Sequence, residues 1–183
     1  LEPENIVSWC RKALSLSALG DHPGAIADLD RALALDPANG EAWHRKGLAL
    51  RELGRIEEAL EALTHSVEVD PGNPEAWYHQ GEVQRDLGRD EEAALAFETA
   101  AAIHPDDRAA WDEMGLAFSS LGKHREALGA FDRALELDPG NAPAWYRKAR
   151  SLMALGDEAG AIDALDRTLE LNPADGEAWH QKG

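Results

Sequence analysis

Residues 111–145 read WDEMGLAFSSLGKHREALGAFDRALELDPGNAPAW, and the tryptophan that opens the stretch, Trp111, returns as Trp145 after 34 residues. The same residue stands on the same period at Trp9, Trp43, Trp77 and Trp179, and these six are all the tryptophans of the 183-residue chain. A strict period of this length marks an array of supersecondary units, each of which buries its apolar face only by stacking on its neighbours. Function is therefore expected on an extended shared surface rather than in one pocket.

Other residues keep the same period for other reasons. Prolines precede each tryptophan by six residues, at Pro3, Pro37, Pro71, Pro105, Pro139 and Pro173, where a fixed φ and a missing N–H stop a helix. Asn5, Asn39, Asn73, Asp107, Asn141 and Asp175, four before the tryptophans, are expected N-caps. Small residues follow four after them (Ala13, Gly47, Gly81, Gly115, Ala149, Gly183), and Leu-Gly pairs end at Gly20, Gly54, Gly88, Gly122 and Gly156, reading as glycine C-caps. A second apolar stripe at helical spacing comes next, for example Leu128, Phe131 and Leu135. Each unit is predicted as helix, glycine turn, helix, proline loop, and nothing alternates with a strand period.

In the fourth unit the recurring places are Trp111, Gly115, Phe118, Gly122, Ala127, Phe131, Ala134 and Pro139. This pattern resembles the tetratricopeptide repeat over the whole chain. The resemblance implies an all-α fold, a right-handed α-α superhelix of antiparallel helix pairs, forming a single solenoid domain over 1–183. Repeats are placed at 6–39, 40–73, 74–107, 108–141 and 142–175, with a partial repeat at 176–183 and the tail of a preceding one at 1–5. On this reading the chain is a segment of a longer array of at least seven repeats. Gln84, Ser66 and Thr168 depart from the pattern, and the alanine-rich stretch Ala93 to Ala102 predicts thinner packing and easier opening in the third repeat.

The net charge is −17, which disfavours a partner held through nucleic-acid phosphates. The charge is unevenly placed. The first fourteen residues of the repeats, with the terminal half, hold 11 Lys and Arg against 8 Asp and Glu, and the remainder 7 against 27. First helices are mildly basic and the rest strongly acidic, as expected of a solvating coat. No apolar run approaches the roughly 18 residues of a membrane span, so no membrane partner is expected. The single Cys10 builds no disulfide framework and points to a reducing, cytoplasmic setting.

In the family the first helices line a concave groove. Places one, five and eight past each tryptophan share a stripe that, unlike the packing stripe, does not repeat. With the adjoining place two past, it supplies the candidate peptide-binding residues. These are Arg11, Leu14, His44, Arg45, Leu48, Arg51, Tyr78, His79, Glu82 and Arg85 in the first three repeats, and Asp112, Glu113, Leu116, Tyr146, Arg147 and Arg150 in the fourth and fifth. The resemblance implies a protein or peptide ligand, with the arginines forking onto carboxylates and the tyrosines giving flat apolar contact. The opposing reading has the arginines paired with Glu41, Glu52, Glu75, Glu82 and Asp86. Reversing Arg45, Arg51 and Arg85 is expected to weaken binding and leave helicity unchanged.

The lysine and asparagine clamp of chaperone-tail receptors is missing from every window of three repeats, and the asparagine ladder of the sugar-transferase superhelix is missing too. No catalytic motif, cofactor loop or metal signature occurs among the seven histidines or elsewhere, so neither catalysis, cofactor nor metal is expected. His44, His79 and Glu82 are the one trio considered for a metal. The leading function is a non-catalytic interaction scaffold; a homo-oligomer stacked end to end, or an accessory domain of a larger enzyme, are the alternatives.

Overall fold

A computed structural model describes residues 3–183, with side chains from Ile6 onward; Leu1 and Glu2, at the start of the expected repeat tail, lie outside it. The described residues are helical throughout, without a strand. First helices are α1 (Pro3–Ala18), α3 (Gly40–Glu52), α5 (Pro74–Asp86), α7 (Arg108–Ser120), α9 (Ala142–Ala154) and α11 (Gly176–Lys182). Second helices are α2 (His22–Leu35), α4 (Ile56–Val69), α6 (Asp90–Ile103), α8 (His124–Leu137) and α10 (Glu158–Leu171).

The helix boundaries follow from their punctuation. Asn39, Asn73, Asp107, Asn141 and Asp175 each accept a first-turn N–H through the side chain. Asn5 does not fit this series: α1 starts at Pro3, a residue tolerated in a first turn, so Asn5 lies inside the helix rather than ahead of it. The five turn glycines sit at φ between 69° and 80°, and the N–H groups that follow close the last turn, as Lys123 does on Phe118 O at 2.9 Å. A Cβ at Gly122 meets nothing, so its requirement is purely conformational. Gly122→Ala is expected to lower stability by about 1–2 kcal/mol. Gly129→Ala, in open space on α8 at an ordinary helical φ, should raise it by about 0.4–1 kcal/mol. Urea unfolding of both variants checks the pair of opposite signs.

The proline–tryptophan spacing has a direct cause. Each indole N–H of Trp43, Trp77, Trp111, Trp145 and Trp179 donates to the carbonyl of the proline six residues earlier, at 2.9–3.0 Å. One residue thus ties the loop to the helix it introduces. The departures in the second helices are satisfied as well: the Ser66 hydroxyl donates to Gly40 O at 2.9 Å and that of Thr168 to Ala164 O at 3.0 Å.

The chain divides into two compact units, Leu1–Arg89 and Asp90–Gly183, with the division inside the third repeat, between its helices. In unit 1 the core gathers Ile26, Leu50, Leu63 and Val83 around Trp43, and beside it Ala13, Leu29 and Leu33. In unit 2 it gathers Ala149, Leu152, Leu165 and Leu169 around Trp145. Within the units α2 packs in antiparallel fashion on α1, α4 on α3, α8 on α7 and α10 on α9, and successive first helices are neighbours: α1 with α3, α3 with α5, and α7 with α9.

Candidate functional site

The non-repeating residues of the first helices divide into two classes by burial. Leu14 is 50% exposed, Arg11 and Arg150 are open to solvent, and Leu48, Tyr78, Leu116 and Tyr146 are half-buried. His44 and Asp112, expected on the open stripe, are buried, at 4% and 6% exposure. The reason is a contact between neighbouring first helices. The residue one past a tryptophan lies against the residue two past the next, 35 positions later: the rings of His44 and His79 stack at 5.2 Å between centroids, and Arg147 Nη1 donates to Asp112 Oδ2. Cys10 stands in the same relation to Arg45, and its thiol is pushed up by burial, which keeps it protonated.

Arg51 obeys the same logic one turn on. It donates to Glu82 at 2.8 Å and Asp86 at 2.9 Å, both on α5, while His79 Nδ1 meets Glu82 at 2.7 Å. Arg45 pairs within its own helix with Glu41 at 2.5 Å. Much of the cationic complement read as ligand-directed is therefore used inside the fold. Arg11 and Arg150 make no ion pair among the described residues. In unit 2 Arg108 adds to the Asp112 cluster at 3.9 Å, and Tyr146 bonds Glu177, with burial and that carboxylate pushing its phenol up. Leu116 and the half-buried Glu113 complete the α7 part of this face, and Arg85 is half-buried on α5.

Burial, followed by the charge of His79, lowers the pKa of His44 from 6.5. The unfolded chain then binds the proton more readily than the native one. This contribution to stability is complete above pH 6.5 and is lost as pH falls through the lowered value. Half-burial pushes Glu82 up, but the bonds and charges of His79 and Arg51 outweigh it and hold its carboxyl below 4.5, so that its share is lost only in more acid solution. A urea midpoint that falls between pH 8 and pH 5.5, and flattens in His44→Gln, is the expected result.

A polar ladder missed in the sequence links second helices to the next first helix. Lys46 meets Asp30, Lys148 meets Asp132 and Lys182 meets Asp166, the first two at 2.7 Å, with each ammonium over the neighbouring tryptophan ring. Gln80 and Thr64 take these places in the second and third repeats, at 3.1 Å. The signal was present as lysines three past the tryptophans and aspartates sixteen earlier.

Two models of one family, described as tetratricopeptide repeat, match the sequence, one over residues 10–65 and 44–108 and the other over 120–182. The chain belongs to the tetratricopeptide repeat family. As a member it is a protein-interaction scaffold, of a family that is in general non-catalytic. No curated protein matches the chain. Among solved structures, the tetratricopeptide repeat (TPR) fold is shared with the MamA protein, 23% identical with 96% of each chain covered and a TM-score of 0.87. YrrB, described as a TPR protein with an unusual peptide-binding site, is 25% identical over 95% of this chain and 90% of its own, with a TM-score of 0.88. MamA 41-end from Desulfovibrio magneticus RS-1 is 19% identical over 94% and 97%, with a TM-score of 0.83.

Among the described residues no three metal-ligating side chains converge, and His44 and His79 face each other as a stack rather than a chelate. No described helix is long and apolar enough to cross a membrane. What the TPR first helices of unit 1 do offer is a pair of adjoining depressions between α1 and α3. One, of about 250 Å³, is lined by Val7, Cys10, Arg11, Leu14 and Arg45; the other, of about 120 Å³, by Leu14, Ser17, Leu48 and Arg45. Unit 2 has a more polar depression of about 480 Å³ between α9 and α11, at Tyr146, Arg150, Glu177 and His180.

Proposed function

We propose that the chain holds an extended peptide or a helix of a partner protein on the first-helix face of unit 1, the concave groove of the family. Apolar side chains of the ligand lie on Leu14 and Leu48, and a carboxylate meets Arg11 or Arg45. The observation that carries this reading is the adjoining pair of apolar depressions sharing Leu14 and Arg45. Peptide binding by YrrB supports it. Tyr78, His79 and Arg85 extend the surface along α5, and Leu116, Tyr146 and Arg150 are the corresponding contacts in unit 2. His44, Arg51 and Glu82, with Asp112 and Arg147, act behind the surface by holding first helices in register.

This division changes the informative experiment. Reversing Arg51 sets a carboxylate against Glu82 and Asp86, so lost binding and lost helicity arrive together. The better variant is Arg11→Glu with Leu14→Asp, both exposed on α1. Peptide display against the whole chain should enrich an apolar residue close to Asp or Glu. The double variant should lose at least about tenfold in affinity for the enriched peptides, with an unchanged circular dichroism spectrum. Unaltered affinity rejects the site. If no peptide is enriched and the mass in solution rises with concentration, end-to-end self-assembly replaces this reading, with Trp179, 54% exposed, as its first contact.

A further inference from the structure

The second-helix face of unit 2 carries a wide depression that the first-helix reading does not use. Its volume is about 630 Å³, between α8 and α10, with Trp145 and Leu152 of α9 as the floor and Leu128 and Ala164 on the walls. Its rim is acidic, with Asp157, Asp163 and Asp166 among five carboxylates. The two rim cations are engaged: Lys148 with Asp132 at 2.7 Å and Arg167 with Glu170 at 2.6 Å.

Unit 1 has the equivalent depression three periods earlier, around Trp43, Lys46 and Leu50, and it holds only about 170 Å³. Six of the twelve lining places differ, among them Arg55 for Asp157 and Thr64 for Asp166, and two bear on how the tryptophan is packed. His65 lays its ring against Trp43 at 4.8 Å between centroids, whereas Arg167 in the same place turns to Glu170. Glu58 lines the depression of unit 1 where Gly160 stands in unit 2. The chain thus contains a narrow and an open version of one groove, and the open version has a half-buried tryptophan as its floor under a rim of net negative charge.

We infer that the open groove is a second interaction surface, fitted to a basic amphipathic helix of a partner protein. A long apolar side chain of that helix seats over Trp145, Leu128 and Leu152, and its lysines or arginines lie along Asp157 and Asp163, Asp166 being engaged by Lys182. The channel runs along two second helices, where a third helix packs with its own backbone satisfied. The charge of −20 over second helices and loops steers a cationic partner to this face. This surface is independent of the first-helix site and of any ligand there.

The test is a titration of the whole chain with a labelled lysine–leucine amphipathic peptide, read by fluorescence anisotropy, beside the same peptide with serine for leucine. The leucine peptide should bind at least about tenfold more tightly than the serine one. Asp163→Lys with Glu170→Lys, both exposed on α10, should remove at least about tenfold of that affinity. Arg167→His, which reproduces the packing of His65 on Trp43, should weaken binding as well, and Arg11→Glu with Leu14→Asp should leave it unchanged. Equal binding of the two peptides, indifference to the α10 reversals, or no binding at all overturns the inference and leaves this face a solvated coat.

Discussion

Phe131→Ala should lower the stability of unit 2 by about 3–5 kcal/mol, among the largest losses expected from a single truncation. Phe131 is fully buried on α8, and its ring lies over Gly115 of α7 so closely that a Cβ added there falls 2.6 Å from the ring. The two positions therefore share one volume. Gly115→Ala removes a helix glycine, a change that in open space gains about 1 kcal/mol. Here it should cost about 1–3 kcal/mol, because a rigid ring has to move. The chain supplies the rescue: where the first-helix residue is alanine, at Ala13 and Ala149, the facing place holds the smaller Leu29 and Leu165. Phe131→Leu in the Gly115→Ala background should recover most of the loss, and the coupling in a double-mutant cycle should reach at least about 1 kcal/mol. Additive losses would show that the two residues do not share a volume. Amide exchange on α7 and α8 would locate the opening in that repeat.

Arg147→Met is the second large effect. It leaves the Asp112 carboxylate buried with only Arg108, at 3.9 Å, as a cation. Breaking a buried pair from one side costs about 3–5 kcal/mol, and the retained Arg108 places this case toward the lower end. Asp112→Asn with Arg147→Met should restore most of the stability, since no charge is then stranded. A urea series on the wild type, the single variant and the double variant decides it; a single variant as stable as the wild type would show the pair to be a solvated surface contact. The same series guards the interaction reading, because a binding defect in Arg147 variants is otherwise attributed to ligand contact.

Both effects rest on pairs that lie 16 or 35 residues apart, and this separates what was readable from what was not. Gly115 and Phe131 were visible as a small and a large residue on one period. His44 beside His79 and the arginines on Glu82 and Asp86 stood only as alternatives, and Asp112 with Arg147 was not assigned, because the spacing of these pairs is one period plus one step. On an isolated helix wheel, the place one past the tryptophan belongs to the open stripe. In the array it is covered by the neighbouring first helix, and two of the sixteen expected groove residues are buried for that reason.

By itself the sequence determined the helical array, its repeat length, its turns and most of its caps. These depend on local physics: a left-handed glycine, an N-cap carbonyl or carboxylate, a proline without an N–H, and an apolar stripe at helical spacing all act within a few residues of chain. Only the tertiary structure decided which polar side chains remain for a partner. Whether an arginine meets solvent or a carboxylate one repeat away depends on how neighbouring helices cross, and so does whether a tryptophan packs against His65 or floors a wider groove lined by Arg167. Periodicity carries the fold because every repeat solves the same packing problem; it is silent on the surface because there the repeats differ.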